Sequence, residues 1–305
     1  MQLSNLPQQI VFGLGLGAIY ALVAIGFSLI YRTMGLLSFV HPQFVMLGSV
    51  FGYTALVKLD LPLWQAAVPV GIVTAAASVV VDQVGLRPIR RRGGTEIAMI
   101  LATVAWGIVL VELVRQPWAY GPNALSLRSG ARAPFHVLGI EIRWDTVGTL
   151  ATAAVLAAAL AFVLRRTAAG RALRAVGENS RTAALMGIDV ERTLALAAAI
   201  SGFLGGVAGL LVGYLFSAGI ATGAIGVKAL AAAVIGGFGN VPGAVVGGLL
   251  LGVFDNVVAA DISATWRDAI VYGLIIAVLL LRAGGLVTRR LNVRALVGRR
   301  IGVRA

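Results

Sequence analysis

Runs of about twenty apolar residues recur along this chain and are separated by short Arg-rich stretches. That alternation leaves few folds open. A helix needs about twenty apolar residues to cross the hydrocarbon layer of a bilayer. Only helices or closed barrels satisfy every backbone polar group there. Full spans are expected at 8–31, 36–57, 63–82, 97–114, 146–164, 193–218 and 266–282. Residues 226–255 behave differently. GVKALAAAVIGG and AVVGGLLLGVF are each too short to cross with ease, and FGNVPG joins them. The segment either dips in and returns or makes two short tilted crossings. The fold class is therefore an all-α polytopic membrane protein with about eight membrane segments, one of them broken or re-entrant and Gly-rich. Composition agrees: 59% of residues are hydrophobic and 12% charged, against about 25% charged in soluble domains. The 305 residues make one bundle rather than several domains.

The net charge of +13 could suggest nucleic acid. Its placement points elsewhere. Eighteen Lys and Arg fall on one side of the span list: Arg32, the run 87–92, the stretch 165–192 and the tail 282–304. Seven fall on the other: Lys58, Arg115, Arg128, Arg132, Arg143, Lys228 and Arg267. This asymmetry is the positive-inside pattern. It puts the N-terminus outside and the C-terminus in the cytoplasm, and no aromatics alternate with the Arg residues to stack on bases. Nucleic acid is excluded as a partner. There is no cysteine, hence no disulfide, thiolate metal site or Cys nucleophile. No Walker A, H-E-x-x-H or G-x-S-x-G motif occurs. Ser201 lies in an apolar span with no partner visible in sequence. No cofactor, metal or catalytic centre is expected in the chain itself.

The longest basic stretch between apolar spans is Arg165 to Arg192, RRTAAGRALRAVGENSRTAALMGIDVER. Ala168 to Val176 should be helical and stop at Gly177. Asn179 or Ser180 can cap a second helix, Arg181 to Met186, which Gly187 ends. Helices this short are marginal alone and need a surface to rest on. Two readings stand: a charged connector, or a docking element for a cytoplasmic protein, with Ala183, Ala184 and Met186 beside Ile188 as a narrow apolar knob. In the second span, Pro42 predicts a kink or break. His41 and Gln43 then either line a path or, for His41, satisfy a carbonyl freed at the kink. Gly236, Gly237, Gly239, Asn240, Pro242 and Gly243 border a pathway or simply close-pack a turn. Gly13, Gly17 and the small residues Ala18, Ala21 and Ala24 allow close helix approach. The third span should end at Asp82, with Arg87 to Arg92 as a topology signal or a contact for anionic lipid. Glu112 and Arg115 suit a boundary ion pair. Residues 115–145 form the long external segment, where Trp118, Tyr120 and Trp144 suit the interface and Val137 to Trp144 reads as a strand.

GRALRAVGENSRTAALMGI followed by an apolar helix resembles the coupling loop of branched-chain amino acid ABC transporter permeases of the LivH type. GLGLGAIYALVAIGFSLIYRTMGLLSF at 13–39 and KALAAAVIGGFGNVPGAVVGGLLLGVFDN at 228–256 resemble the same family. The family's Asn-Phe-Ala-His-Gly-like run is matched here by Ser38 to Pro42, with Val40 and Pro42 departing from it. The resemblance implies a permease domain over 1–305 in a bacterial inner membrane. It implies a coupling helix at Glu178, Asn179, Ala183, Gly187 and Ile188, next to Ala184. It implies as partners a second homologous permease, two cytoplasmic ATPases that use the ATP, an external solute-binding protein, and membrane lipid; segment 115–145 is either a surface for that binding protein or a connecting loop. Leucine, isoleucine and valine, or urea, amides and small aromatic acids, are the solutes of such proteins. A self-sufficient secondary transporter or channel is the alternative. It is disfavoured because the twelve acidic residues lie mostly at span ends and only His41 lies deep.

Overall fold

The computed structural model describes residues 6–116, 120, 125, 135–137, 140–262 and 266–283. Much of the segment 115–145, including Trp118 and several of its Gly and Pro turn signals, lies outside the described residues, as does the Arg-rich tail beyond 283. The described chain is overwhelmingly helical: α1 (Leu6–Met34), α2 (His41–Tyr53), α3 (Leu63–Val80), α4 (Arg87–Arg91), α5 (Glu96–Arg115), α6 (Trp144–Arg166), α7 (Ala168–Glu178), α8 (Ser180–Leu185), α9 (Val190–Leu215), α10 (Gly223–Gly236), α11 (Val241–Val257) and α12 (Arg267–Ala283). Among the described residues, six segments are long and apolar enough to cross a membrane, and Ile220–Gly236 is a shorter apolar helix.

Glycine decides which helices touch. Without a water-exclusion force between helices in lipid, close packing must hold them. On α1, Gly13 and Gly17 lie against Val253 and Leu249 of α11, while Gly248 and Gly252 of α11 lie against Ala21 and Gly17. A Cβ at any of these positions would strike backbone. On α9, Gly206 meets Thr74 of α3, and Gly48 of α2 presses on the Gly206 carbonyl; Gly209 lies on Val45. Helices α1 and α9 are thus buried through much of their length. Helices α3, α5 and α6 turn an apolar side outward, with Ile72, Ile97, Ile108, Val155 and Phe162 exposed, as expected of a lipid-facing ring.

Several expectations change. The second span is not kinked. It begins at His41, and Pro42 sits in the first helical turn, where its missing N–H costs nothing. Residues 36–40 are therefore non-helical, although they were expected inside the span. The third span does not end at Asp82. Its helix runs through a π-helical turn, Val81–Leu86, into α4. The strand expected over Val137 to Trp144 is two short strands, Phe135–Val137 and Ile140–Ile142, paired antiparallel, and Trp144 already belongs to α6.

The Gly-rich segment is not broken at mid-depth. Helices α10 and α11 meet at a four-residue turn, Gly237 to Asn240, whose neighbours are Arg32, Arg165 and Arg174. The turn lies at the Arg-rich end of the bundle, between the shorter apolar helix Ile220–Gly236 and the candidate span Val241–Ala260. Non-helical backbone enters the bundle elsewhere, at 36–40 and at 216–222. His41, just after the first stretch, reaches Val23 of α1, nine residues before Arg32, or ~13 Å along the helix. In the second, the Gly219 N–H meets Ser49 Oγ at 3.3 Å, and Thr222 Oγ1 lies 2.8 Å from the same oxygen. Buried irregular backbone of this kind is tolerated only inside protein or along a cavity.

Substituting Gly206→Val should lower the unfolding midpoint in detergent, at a cost of about 1–3 kcal/mol for overpacking. Gly273→Ala, where an added Cβ meets nothing within 4 Å, should leave the midpoint unchanged. Thermal scans of both variants check this.

Candidate functional site

The stretch 165–192 folds into two short helices and a cap. Thr167 Oγ1 accepts from the Gly170 N–H at 3.0 Å and starts α7. Gly177 does not end it: α7 continues to Glu178, and Gly177 instead lets the helix lie against the Arg32 backbone. Asn179 Oδ1 accepts from the Thr182 N–H at 2.9 Å and starts α8, which spans Ser180–Leu185 rather than Arg181 to Met186. Gly187, at φ +83°, turns the chain out of α8, and Asp189 Oδ1 accepts from the Arg192 N–H to start α9.

The predicted knob divides in two. Ala183 is buried with Val176 and Leu194, and Ile188 packs beside them. These residues hold α8 to the bundle. The outward edge is Ala184 with Leu185, 83% exposed, and Met186, 79% exposed. Sequence reasoning missed Leu185, although a six-residue helix with one buried Ala must turn its next two positions outward. Glu178 and Asn179 are exposed at the joint between the two helices.

An ion cluster joins this platform to α3 and α4. Arg90 donates to Asp82 Oδ1 at 2.7 Å and to Glu191 Oε2 at 3.1 Å, and Arg87 Nε lies 3.3 Å from Glu191 Oε2. The Arg87 to Arg92 run is therefore more than a topology signal: two of its members tie α4 to the first turn of α9. The expected Glu112–Arg115 pair forms at 3.2 Å, on the surface, where such pairs contribute little.

The two pathway groups named from sequence do not come together. His41 is fully buried. Its Nδ1 lies 3.0 Å from Ser201 Oγ and its Nε2 3.3 Å from the Val23 carbonyl. Ser201 Oγ also lies 3.1 Å from the Gly26 carbonyl, so its single hydroxyl proton goes to Gly26 or to His41 Nδ1 according to the tautomer of the ring. This pins the start of α2 between α1 and α9, and no kink is involved. Gln43 points the other way. It is half-buried, close to Gly223 of α10 and Gly107 of α5, and its amide has no hydrogen bond to any described residue. At the Arg-rich end, Gly236 and Gly243 press backbone to backbone, and Gly237 takes φ +92°. These three glycines shape the turn. Asn240 and Pro242 border a cavity of about 300 Å³ instead.

A buried charge cluster sits toward the opposite end. Asp255, fully buried, accepts from the Tyr20 hydroxyl at 2.6 Å and from Arg267 Nε and Nη2 at 2.7 and 2.6 Å. Lys228 Nζ is 3.6 Å from Asp255 and 2.5 Å from Asp268. It ties α1, α10, α11 and α12 together. The signal was available: Lys228 and Asp255 interrupt otherwise apolar helices, and an ionisable residue there needs a partner.

Comparison with known proteins gives a consistent result. The family described as the branched-chain amino acid transport system permease component matches residues 9–279. The chain is 31% identical over 297 residues to the high-affinity branched-chain amino acid transport system permease protein BraD of Pseudomonas aeruginosa, covering 92% of this chain and 95% of that protein. It is 30% identical to LivH of Escherichia coli K12 with the same coverage. It is 28% identical over 269 residues to a probable LivH of Methanocaldococcus jannaschii, covering 86% and 84%.

Replacing Asp255 by Ala removes the ion-pair partner of Arg267 and leaves Lys228 only Asp268, and breaking a buried pair from one side costs about 3–5 kcal/mol. The unfolding midpoint of Asp255→Ala should fall far more than that of Asp268→Ala, whose carboxylate is 69% exposed. Equal effects would mean the cluster does not hold the helices.

Proposed function

The chain belongs to the branched-chain amino acid transport system permease family, and from that premise we propose how this permease component is built to carry solute and to receive energy. Its place in an ATP-driven importer follows from the family, and separate subunits hydrolyse the ATP. We assign it branched-chain amino acids as solute, because the relatives' names specify them. Its partners are a second permease, two cytoplasmic ATPases and an external binding protein. The Arg-rich end faces the cytoplasm of a bacterial inner membrane, with the N-terminus outside, on the basic asymmetry.

The observation that carries the coupling assignment is the division of α8. One face is anchored by Ala183, while Ala184, Leu185 and Met186 stand in water with no covering segment among the described residues. An exposed apolar edge on an element otherwise packed down fits a groove on a soluble partner. Motion of that edge reaches the bundle along two routes: through Ala183 and Leu194 to α9, and through Glu191 to Arg87, Arg90 and α4.

The solute path is assigned to the face of α2 and α10. Ala221, Ala224 and Val227 form an exposed row on one side of that strip, and the free amide of Gln43 lies beside it. The irregular backbone at 36–40 and 216–222 reaches the same strip. A second permease would close it. His41 serves by locking α2 in place through Ser201, and Gly236, Gly237 and Gly243 serve by shaping the α10–α11 turn.

Two variants separate the assignments. Ala184→Arg puts an unpaired charge into the docking edge, which costs several kcal/mol. It should weaken ATPase association by ~100-fold and abolish solute-driven ATP hydrolysis, while Arg181→Lys behaves as the parent. Ala224→Trp should keep the ATPases and lose solute uptake. Co-purification and proteoliposome assays read both. Retained coupling in Ala184→Arg would make 165–192 a mere connector.

A further inference from the structure

The Arg-rich end holds a cavity of about 300 Å³ between α1, α6, α7 and the start of α11. Its wall contains three cations, Arg32, Arg165 and Arg174, and no acidic residue. None of the three is ion-paired among the described residues, whereas Arg87, Arg90, Arg143, Arg192 and Arg267 all are. Ser28, 1% exposed, lies in the same wall, and its hydroxyl has no hydrogen-bond partner among the described residues. A helical Ser normally satisfies itself on a carbonyl of the preceding turn, and a buried hydroxyl without a partner is costly. Asn240, which begins α11 without using its side chain as a cap, adds a second free polar group. Thr33 of the same wall is satisfied on the Leu29 carbonyl at 2.9 Å, and Ala157, Ala161 and Leu164 of α6, Leu29 of α1 and Val245 of α11 make an apolar stretch.

We propose that this groove is a binding site for an anionic phospholipid. The phosphate lies among Arg32, Arg165 and Arg174, and an acyl chain lies along Ala157, Ala161, Leu164 and Val245, within reach of α7. Charge decides against a transported amino acid at this place. Its ammonium would meet three cations and no carboxylate, and its short side chain would leave the apolar length of the groove unfilled. Basic pockets between membrane helices on the cytoplasmic side suit an acidic headgroup, and Arg matches phosphate with paired donors. Leu173 and Arg174 of α7 form part of the wall, so the bound lipid links α7, and α8 behind it, to α1 and α6. Anionic lipid thereby braces the docking platform.

The site rests on the membrane reading of the chain and not on its solute, so a failure of amino acid uptake leaves it standing. The test is lipid retention by the purified full-length chain in detergent, read by native mass spectrometry with added dioleoylphosphatidylglycerol or dioleoylphosphatidylcholine. The parent should retain the anionic lipid over the zwitterionic one by about tenfold or more. Arg32→Gln combined with Arg174→Gln should erase that preference, and Ala161→Phe, which fills the groove and keeps the cations, should do the same. Arg171→Gln, outside the groove, should keep it. Millimolar inorganic phosphate should not displace the lipid. Equal retention of the two lipids by the parent overturns the proposal. So does a preference that survives both groove variants, and displacement by phosphate alone would make this a site for a free anion instead.

Discussion

Backbone-to-backbone contact at glycine is the constraint on which this structure depends. In lipid, an apolar side chain gains little by leaving one apolar neighbour for another, so helices hold together only where they approach closely. Gly206 and Gly209 let α9 touch α2 and α3, and Gly13, Gly17, Gly248 and Gly252 let α1 touch α11. The start of α2 is fixed because α9 is close enough for Ser201 to reach His41. The stretch 165–192 is fixed because α7 and α8 pack on Leu29, Leu194 and Ala197 of the same two helices.

Polar interactions are then spent sparingly, and each joins elements that glycine contacts leave apart. Asp255 draws together Tyr20, Lys228 and Arg267 from three other helices at one end. Glu191 draws Arg87 and Arg90 to the first turn of α9 toward the other. The first cluster is far from the platform and serves assembly of the bundle. The second lies two residues after the cap of α9 and ties that helix to α4.

Much of this was legible in sequence because membrane constraints are one-dimensional. Span length, the Arg asymmetry and the caps at Asn179 and Gly187 each depend on a few adjacent residues. What was hidden depends on partners distant in the chain. Gly177 looked like a helix stop because its sequence context suits one, but the Arg32 backbone occupies the space a Cβ would need. Pro42 looked like a kink because nothing local says that the helix begins one residue earlier. The FGNVPG segment was open between a re-entrant dip and two short tilted crossings because its flanking halves are short, while irregular backbone lies within the bundle at 36–40 and 216–222, where no such Gly-rich run marks it. The outward face of α8 could not be divided into anchor and edge until Ala183 was seen against Val176 and Leu194.

The central claim is that the Arg-rich end carries an apolar edge that grips a cytoplasmic ATPase. Site-specific photo-crosslinking in cells tests it most directly. A photoreactive residue placed at Leu185, which is exposed on α8, should crosslink to the co-expressed ATPase subunit. The same probe at Trp64, exposed in the first turn of α3, at the opposite end of that helix from α4, should not. Crosslinks to the ATPase from Trp64, or none from Leu185 in an assembled, transporting complex, would contradict the account.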